Sequence, residues 1–328
     1  MDRLLAALRP DSFTLMIVGT IALATFLPAT GDAAAWLDVA VKGGVMTLFF
    51  LHGARLPREA VLQAVGHWRL QFLILALTFV LFPLAALLAA PLISRLIEPG
   101  LYLGLIFLCC LPSTVQSSIA FTAIGGGNVP AAACAAAASN LIGIVVTPLL
   151  TGLLLARQAG IPLGAAGAIV MLLLVPFVAG QLARPCIGGW VGRRRQLLAV
   201  VDRGAILLMI YSAFGKAVTG GFWQRVSTAD LLIVTLLCAL LLALAVGVAV
   251  QASRRLRFDR ADEVAIVLCG SMKSLVTGMP IANVLFHGAQ AGLLVIPLIV
   301  FHQVQLISCV LLARQYGRDA VAPDSRPQ

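Results

Sequence analysis

Long runs of apolar residues follow one another along almost the whole chain, and each is about as long as a membrane-spanning helix. A helix needs about 20 apolar residues to cross the hydrocarbon layer of a bilayer. The pattern predicts ten such spans, over residues 12–29, 35–52, 70–92, 101–124, 129–154, 163–183, 199–219, 229–251, 262–286 and 290–313. The expected fold is an all-α polytopic membrane protein with ten transmembrane helices.

The composition agrees with this class. Hydrophobic residues make up 61% of the 328 residues and charged residues only 11%, whereas soluble domains carry about a quarter charged residues. The apolar runs are continuous, which is not the short alternating pattern of a transmembrane β-barrel. The composition and the pattern therefore exclude both a soluble fold and a barrel.

The basic residues are distributed unevenly between the connecting segments. With the N-terminus in the cytoplasm, seventeen of the 23 Lys and Arg residues lie in inner segments and four in outer ones. This is the bias that orients helical membrane proteins, and it predicts an inner-membrane protein with both termini cytoplasmic. Contact with anionic lipid explains the net charge of +10, and no nucleic-acid partner is expected.

One apolar run is interrupted near mid-membrane, in the segment "LCCLPSTVQSSIAFTAIGGGN" at residues 108–128. Here Pro112 is followed by five hydrogen-bonding residues: Ser113, Thr114, Gln116, Ser117 and Ser118. Non-helical backbone at this depth is tolerated only where protein or a water-filled cavity satisfies its polar groups. The segment predicts a broken fourth helix whose polar residues line a binding site.

A second segment, "LCGSMKSLVTGMPIANVLFHG" at residues 268–288, repeats this pattern at an offset of 160 residues. The polar matches are Lys273 with Ser113, Ser274 with Thr114, and Thr277 with Ser117. Five spans in each half invert the second half, 163–314, relative to the first, 12–154. Inverted repeats with interrupted helices near the midplane are typical of transporters. Helices 4 and 9 are therefore predicted to cross at one polar centre.

The segment "CCLPSTVQSSIAFTAIGGGNVP", with the ninth span and the ten-span plan, resembles the bile acid:sodium symporter family, and most closely its bacterial SBF-like branch. The resemblance covers about residues 12–314. It implies a core domain of spans 3–5 and 8–10 and a panel domain of spans 1, 2, 6 and 7. It also implies alternating-access transport of a small organic anion, commonly driven by Na⁺, with helices 4 and 9 unwound where they cross.

The sodium ligands of that family carry over only in part. Their positions are occupied here by Thr78, Ser117, Ser118, Ala132, Ala136, Lys273 and Thr277. Lys273 replaces a glutamate, and Ser118 replaces the asparagine of a Ser-Asn pair. The candidate ligands for a Na⁺ ion are therefore Ser117, Ser118 and Asn140. Apart from Na⁺ or H⁺ as the coupling ion, no cofactor is expected.

Lys273 is the most informative of these departures. A charge at mid-membrane costs roughly 2.5–3.5 kcal/mol on insertion scales and is functional by default. The nearest carboxylates in its span, Asp262 and Glu263, lie about three helical turns away. Three interpretations are open. The ammonium replaces Na⁺ as an internal cation beside half-helix carbonyls, it pairs with an anionic substrate, or it titrates.

Other polar residues within the spans are candidates for the same cavity. Ser139 and Asn140 lie near the middle of the fifth span, and His302 lies at the matching depth of the tenth, beside Gln303 and Gln305. Two interpretations of His302 are open: a role in a proton relay, and interhelical hydrogen bonding alone.

Lys42 is the other lysine within a span. Asp38 lies four residues before it, which is the favoured order for an ion pair along one helix. A structural pair between Asp38 and Lys42 is therefore expected.

An intramembrane enzyme and a channel are the competing classes. The zinc-protease motif His-Glu-x-x-His and a pair of mid-span aspartates are both absent from the sequence. A serine enzyme would require Ser117 to meet a base such as His302. A channel would not need two matched helix breaks. The sequence therefore favours a transporter that is not an enzyme.

The charge bias makes a direct prediction for cysteine labelling. In a background without the seven native cysteines, single cysteines at Ala33 and Pro99 should react with an impermeant maleimide added to intact cells. Cysteines at Arg194 and Asp259 should react only after the cells are opened. Labelling at Arg194 from outside would contradict ten spans with both termini inside.

Overall fold

The computed structural model describes residues 12–55, 67–159, 163–286 and 289–321, and all regular elements in these ranges are helices. Apart from the short helix Phe222–Arg225, they are in chain order α1 (Ser12–Phe26), α2 (Gly31–Arg55), α3 (Trp68–Ile93), α4a (Pro99–Cys110), α4b (Gln116–Ile124), α5 (Val129–Ala159), α6 (Leu163–Arg193), α7 (Arg195–Thr219), α8 (Thr228–Arg255), α9a (Arg260–Gly270), α9b (Leu275–Leu285) and α10 (Ala289–Val321). Seven of these, counting α9a and α9b together, are long and apolar enough to cross a membrane, and α1 and α4a are shorter apolar helices. The chain is a polytopic membrane protein.

The four tryptophans of the chain all lie at or near helix ends with exposed side chains. Trp36 lies in the first turns of α2, Trp68 begins α3, Trp190 lies in the last turn of α6, and Trp223 lies between α7 and α8. An indole ring has an apolar body and a polar N–H, so it concentrates where hydrocarbon meets water. Their positions support helix ends that lie at the two membrane interfaces.

Polar caps begin the first halves of both broken helices. Glu98 accepts a hydrogen bond from the Leu101 N–H at 3.0 Å at the start of α4a. Asp259 accepts from the Asp262 N–H at 2.7 Å at the start of α9a. Such caps satisfy N–H groups that have no partner within the helix.

The α2 and α6 helices cross at two glycines. A Cβ atom on Gly53 would overlap the Phe177 carbonyl, and one on Gly180 would overlap the Phe50 carbonyl. Small residues allow membrane helices to approach this closely. An ion pair between Arg55 and Asp202 joins α2 to α7, so these three helices pack as one group.

The expected ion pair between Asp38 and Lys42 is wrong. Asp38 instead accepts a hydrogen bond from Lys216 of α7, and the Lys42 side chain is exposed. A pair along one helix contributes only a few tenths of a kcal/mol. Helix packing therefore decides the partner, because it brings a second lysine to Asp38 from the neighbouring helix.

The two broken helices differ in how completely they are covered. α9b is buried and contacts α5, α6, α7 and α10. Near it, α10 approaches α7 so closely that a Cβ atom on Gly292 would overlap Ala217 and the Ala213 carbonyl. The contacts of α4b run to α5, α9a and α10, and its other face is open, with Ile124 46% exposed. α9b is therefore covered by other helices, whereas one face of α4b is exposed.

Candidate functional site at the crossing of two broken helices

The first break separates α4a from α4b and is caused by Pro112. Proline has no N–H and pushes the residue before it into an extended conformation, and Leu111 has φ −75° and ψ 152°. The Leu108 carbonyl accepts from the Leu111 N–H at 3.2 Å, one residue early. Carbonyls on both sides of Pro112 therefore lack their helical donors.

The second break, at residues 271–274, contains no proline and is stabilised by serine side chains. Ser271 Oγ donates to the carbonyl four residues back at 2.6 Å. Ser274 caps α9b by accepting from the Thr277 N–H at 3.1 Å. Serine competes with the backbone for such bonds and so favours helix ends. The two breaks meet where the Ser274 N–H donates to the Pro112 carbonyl at 2.9 Å.

α3 also supplies a carbonyl without a helical donor, because its middle segment, Leu77–Leu81, is a π-helix. In a π-helix each carbonyl accepts from the N–H five residues on. For Thr78 that residue is Pro83, which has no N–H. The Thr78 carbonyl is thus free to bond outside its helix, while the Thr78 hydroxyl donates to the Ile74 carbonyl at 2.8 Å. Thr78 contributes to the site through its backbone.

The ammonium of Lys273 lies between these freed carbonyls. Its Nζ atom is 2.8 Å from the Thr78 oxygen, 3.0 Å from the Cys109 oxygen and 2.7 Å from the Leu111 oxygen. Each of its three N–H bonds therefore has an acceptor. The Phe82 ring centroid lies 4.0 Å from Nζ, which is cation–π distance. The side chain is fully buried.

This environment holds a positive charge without a carboxylate. Cys109 and Leu111 lie at the C-terminal end of α4a, where the aligned peptide dipoles are negative. Rings of backbone carbonyls replace the hydration shell of a cation in channel filters. The ion pairs among the described residues do not involve Lys273. The ammonium thus occupies what is chemically a small cation site.

Asn140 of α5 ties the two breaks together. Its Nδ2 atom donates to the Ser113 carbonyl at 2.7 Å and to the Ala136 carbonyl at 2.8 Å. Its Oδ1 atom accepts from the Thr277 hydroxyl at 2.6 Å. The neighbouring Ser139 hydroxyl accepts from the Ser113 N–H at 3.0 Å. Two adjacent residues of α5 therefore hold both crossing segments.

Comparison with known proteins agrees with this architecture. The model of a family described as the SBF-like CPA transporter family matches residues 11–318. The chain belongs to the SBF-like CPA transporter family. This membership confirms the resemblance to the bile acid:sodium symporter family that the fourth and ninth spans carry.

Three curated proteins illustrate what this chain is similar to. An uncharacterized protein of Pseudomonas aeruginosa is 50% identical over 311 residues, covering 94% of this chain and 93% of its own. The putative symporter YfeH of Escherichia coli is 46% identical over 309 residues, covering 94% and 93%. The sodium/bile acid cotransporter 7 of Mus musculus is 30% identical over 312 residues, covering 93% and 92%. The names of the last two support a non-enzymatic transport role.

Most of the site residues predicted for this SBF-like transporter come together at the crossing. Those that are buried there are Thr78, Ser113, Thr114, Ser118, Ser139, Lys273, Ser274 and Thr277, with His302 on the adjoining α10. Asn140 is half-buried among them. The Ser113 hydroxyl donates to the Cys269 carbonyl at 2.5 Å, in the last turn of α9a.

Gln116 and Ser117 lie apart from this buried group, at the start of α4b. Gln116 is exposed and Ser117 is half-buried, on the open side of the molecule. The Thr277 hydroxyl, on the first turn of α9b, donates to Asn140. The Ser113 hydroxyl of the first break donates to the last turn of α9a, just before the second break.

Two of the three candidate Na⁺ ligands, Ser118 and Asn140, are engaged by protein groups. The Ser118 hydroxyl donates to the Thr114 carbonyl at 2.6 Å, and the Asn140 oxygen accepts from Thr277. In the described ranges, no group of three or more His, Cys, Asp or Glu side chains could hold a metal ion. The cation-like position in these ranges is the one that the Lys273 ammonium fills.

Sequence reasoning anticipated half-helix carbonyls beside this ammonium but did not identify the residues that supply them. Every residue has a carbonyl, so the sequence signals a freed one only indirectly, through a proline such as Pro83 or Pro112 that removes its donor. Gln305 was also missed as a site residue, although its amide hydrogen-bonds to the Lys273 backbone. A polar amide in an apolar span needs partners, which is the signal that could have found it.

An apolar cavity borders α4a, the helix before the first break. It has a volume of about 240 Å³ and lies between α3, α4a and α8, lined by residues such as Ala86, Leu105 and Leu241. A charged ligand would lose its hydration there without gaining polar partners. The polar groups that suit an anion lie at the crossing instead.

Asn140 allows a stability prediction with a matched control. Asn140→Ala removes two hydrogen bonds that join α5 to the two breaks, and single interhelical bonds in membranes contribute roughly 0.6 to 1.7 kcal/mol. We expect a melting temperature clearly below that of Asn283→Ala, because the side-chain hydrogen bond that the described ranges show for Asn283 runs to the Met279 carbonyl of its own helix. Equal melting temperatures for the two purified variants would show that Asn140 does not hold the crossing.

Proposed function

We propose that this chain is a secondary-active transporter that moves a small organic anion across the inner membrane without Na⁺. Family membership and the relatives named as transporters support the transport role. A relative named as a bile acid cotransporter suggests an organic anion as the substrate class. The observation that supports transport without Na⁺ is that each of the three N–H bonds of the Lys273 ammonium has a backbone carbonyl as its acceptor.

In this proposal Lys273 supplies permanently the charge that a coupling ion would otherwise bring. All three of its N–H bonds point to carbonyl oxygens, so none remains for an anion in this conformation. A Na⁺ ion in the same cluster would meet an ammonium at close range in a low dielectric, where like charges repel strongly. Of the three interpretations of Lys273, the geometry therefore best supports the internal cation.

The anion is best placed at the N-terminus of α4b. Helix N-termini attract anions, because their first N–H groups lack helical partners and the helix dipole is positive there. Val115 is 37% exposed at this end, and the exposed Gln116 and half-buried Ser117 offer an amide and a hydroxyl. Lys273 adds a positive field from the buried side of the break and makes no direct ion pair.

The uneven covering of α4b and α9b supports alternating access. An exposed glutamine at mid-membrane depth is costly in lipid, so we infer that Gln116 faces a water-filled cleft. With both termini cytoplasmic, α4b lies in the inner half of the membrane. The described conformation then corresponds to an inward-open state, sealed outside where Gly292 meets Ala213 and Ala217.

In this proposal the core domain and the panel domain implied by the family resemblance move relative to each other. The core domain comprises α3, α4, α5, α8, α9 and α10, and the panel domain comprises α1, α2, α6 and α7. Each is built from both inverted repeats, 12–154 and 163–314. The close crossing of α2 and α6 at Gly53 and Gly180 supports a panel that moves as one body.

Uptake into proteoliposomes tests the proposal. Cholate, benzoate and pyruvate represent a steroid acid, an aromatic acid and a short-chain keto acid, and the one that most raises the melting temperature of the purified protein is used in labelled form. Initial rates are compared with Na⁺ on both sides, with Na⁺ outside only, and with choline replacing Na⁺, at fixed pH and membrane potential. We expect equal rates in all three conditions.

The same vesicles separate the competing functions. Preloading with unlabelled anion should accelerate entry of the labelled anion, as expected of a carrier and not of a channel. Recovery of chemically altered label would indicate an enzyme. Concentrative uptake that requires the inward Na⁺ gradient would contradict the assignment of Lys273 as the internal cation.

A further inference from the structure

The side-chain amide of Gln305 in α10 forms a two-point pair with the backbone of Lys273. Gln305 Oε1 accepts from the Lys273 N–H at 2.8 Å. Gln305 Nε2 donates to the Lys273 carbonyl at 2.9 Å. Both residues are fully buried, so neither bond competes with bulk water.

This pair satisfies a backbone that the helix break has left without helical partners. Lys273 lies between α9a and α9b, where its N–H and carbonyl are outside regular helix. Unpaired buried backbone groups are costly. A primary amide offers a donor and an acceptor in one plane, as only Asn and Gln side chains do. Gln305 therefore fixes both the position and the orientation of the residue that carries the ammonium.

His302 fixes the amide in turn. It lies one turn before Gln305 on the same helix, and its Nδ1 atom is 3.1 Å from Gln305 Nε2. The Lys273 backbone requires the Gln305 oxygen at its N–H and the nitrogen at its carbonyl, so the second Nε2 proton points to the imidazole. His302 thus accepts at Nδ1, which assigns its ring proton to Nε2.

We propose that Gln305, oriented by His302, is the positioning residue that delivers the Lys273 ammonium to its three carbonyls. This inference rests on the proposed function, because it concerns the internal cation of that site. Its consequence is that the cation is held from two sides. The carbonyls of Thr78, Cys109 and Leu111 bind the ammonium, and α10 holds the backbone from which it extends.

The simplest competing role is a generic interhelical hydrogen bond, and α10 contains a residue with that role. Gln303 lies two positions before Gln305, and its Oε1 atom accepts from the Thr14 hydroxyl of α1 at 3.0 Å. Gln303→Leu removes the same type of side chain from the same helix without touching Lys273. It is the matched control for Gln305→Leu.

The test is the effect of Na⁺ on the melting temperature of the purified variants, with choline as the control cation. A misplaced ammonium leaves three carbonyls that bind Na⁺, and a ligand that binds the folded state raises its stability. We expect a saturable Na⁺-specific rise of roughly 3 °C or more for Gln305→Leu. Gln303→Leu and the wild type should show no such rise.

Three further variants guard against misfolding and test the role of the imidazole. Gln305→Glu keeps the shape of the side chain but cannot donate to the Lys273 carbonyl, so it should also respond to Na⁺. His302→Leu should respond in part, whereas His302→Asn, which keeps an acceptor near the Nδ1 position, should behave like the wild type. A purely structural role would give the same Na⁺ response for all of these variants.

The outcomes separate this inference from the proposed function. Folded Gln305 variants that are as insensitive to Na⁺ as Gln303→Leu would overturn the positioning role, while wild-type transport without Na⁺ would stand. A Na⁺-induced rise in the wild type would instead contradict the internal cation itself. A Na⁺ response confined to the Gln305 variants and His302→Leu would support both.

Discussion

The bonding of one buried ammonium to three backbone carbonyls determines how the two broken helices meet. Each carbonyl is available because a local feature has removed its donor: Pro112 after α4a, and the π-segment followed by Pro83 in α3. The ammonium of Lys273 in turn satisfies groups that would otherwise be buried without partners. The breaks and the lysine therefore depend on each other. A continuous fourth helix would leave the charge without acceptors at a depth where charge is costly.

Because the lysine and the breaks depend on each other, the proposed transport cycle needs no Na⁺ ion to compensate the charge of the substrate. In this proposal the tethered cation contributes a positive field at the anion site, so no second ion needs to cross the membrane with the substrate. Any concentrating force must then come from protons or from exchange against another anion. The exposed start of α4b and the sealed contact of α10 with α7 supply the asymmetry that alternating access requires.

The sequence predicts the all-helical membrane class and the two helix breaks, because the apolar runs and helix-breaking residues that determine them are local. The break at Pro112 and the importance of Lys273 follow from single residues, and the second break follows from its match to the first. The partners do not follow, because packing brings them together from distant segments. Asp38 pairs with Lys216 of another helix instead of Lys42, and Thr78 acts through a carbonyl that its side chain does not reveal. Gln305 is visible as a polar residue, but only the fold shows that it faces Lys273.

Direct measurement of Na⁺ binding tests the central claim most simply. Equilibrium binding of radioactive Na⁺ would be compared for the purified wild type, Lys273→Ala and Lys273→Met. The alanine variant vacates both the charge and its space, whereas methionine removes the charge but fills the space. The account predicts that only Lys273→Ala binds Na⁺ saturably, at about one ion per chain, because Na⁺ takes the place of the ammonium among the three carbonyls. Saturable Na⁺ binding by the wild type, or none by a folded Lys273→Ala variant, would contradict it.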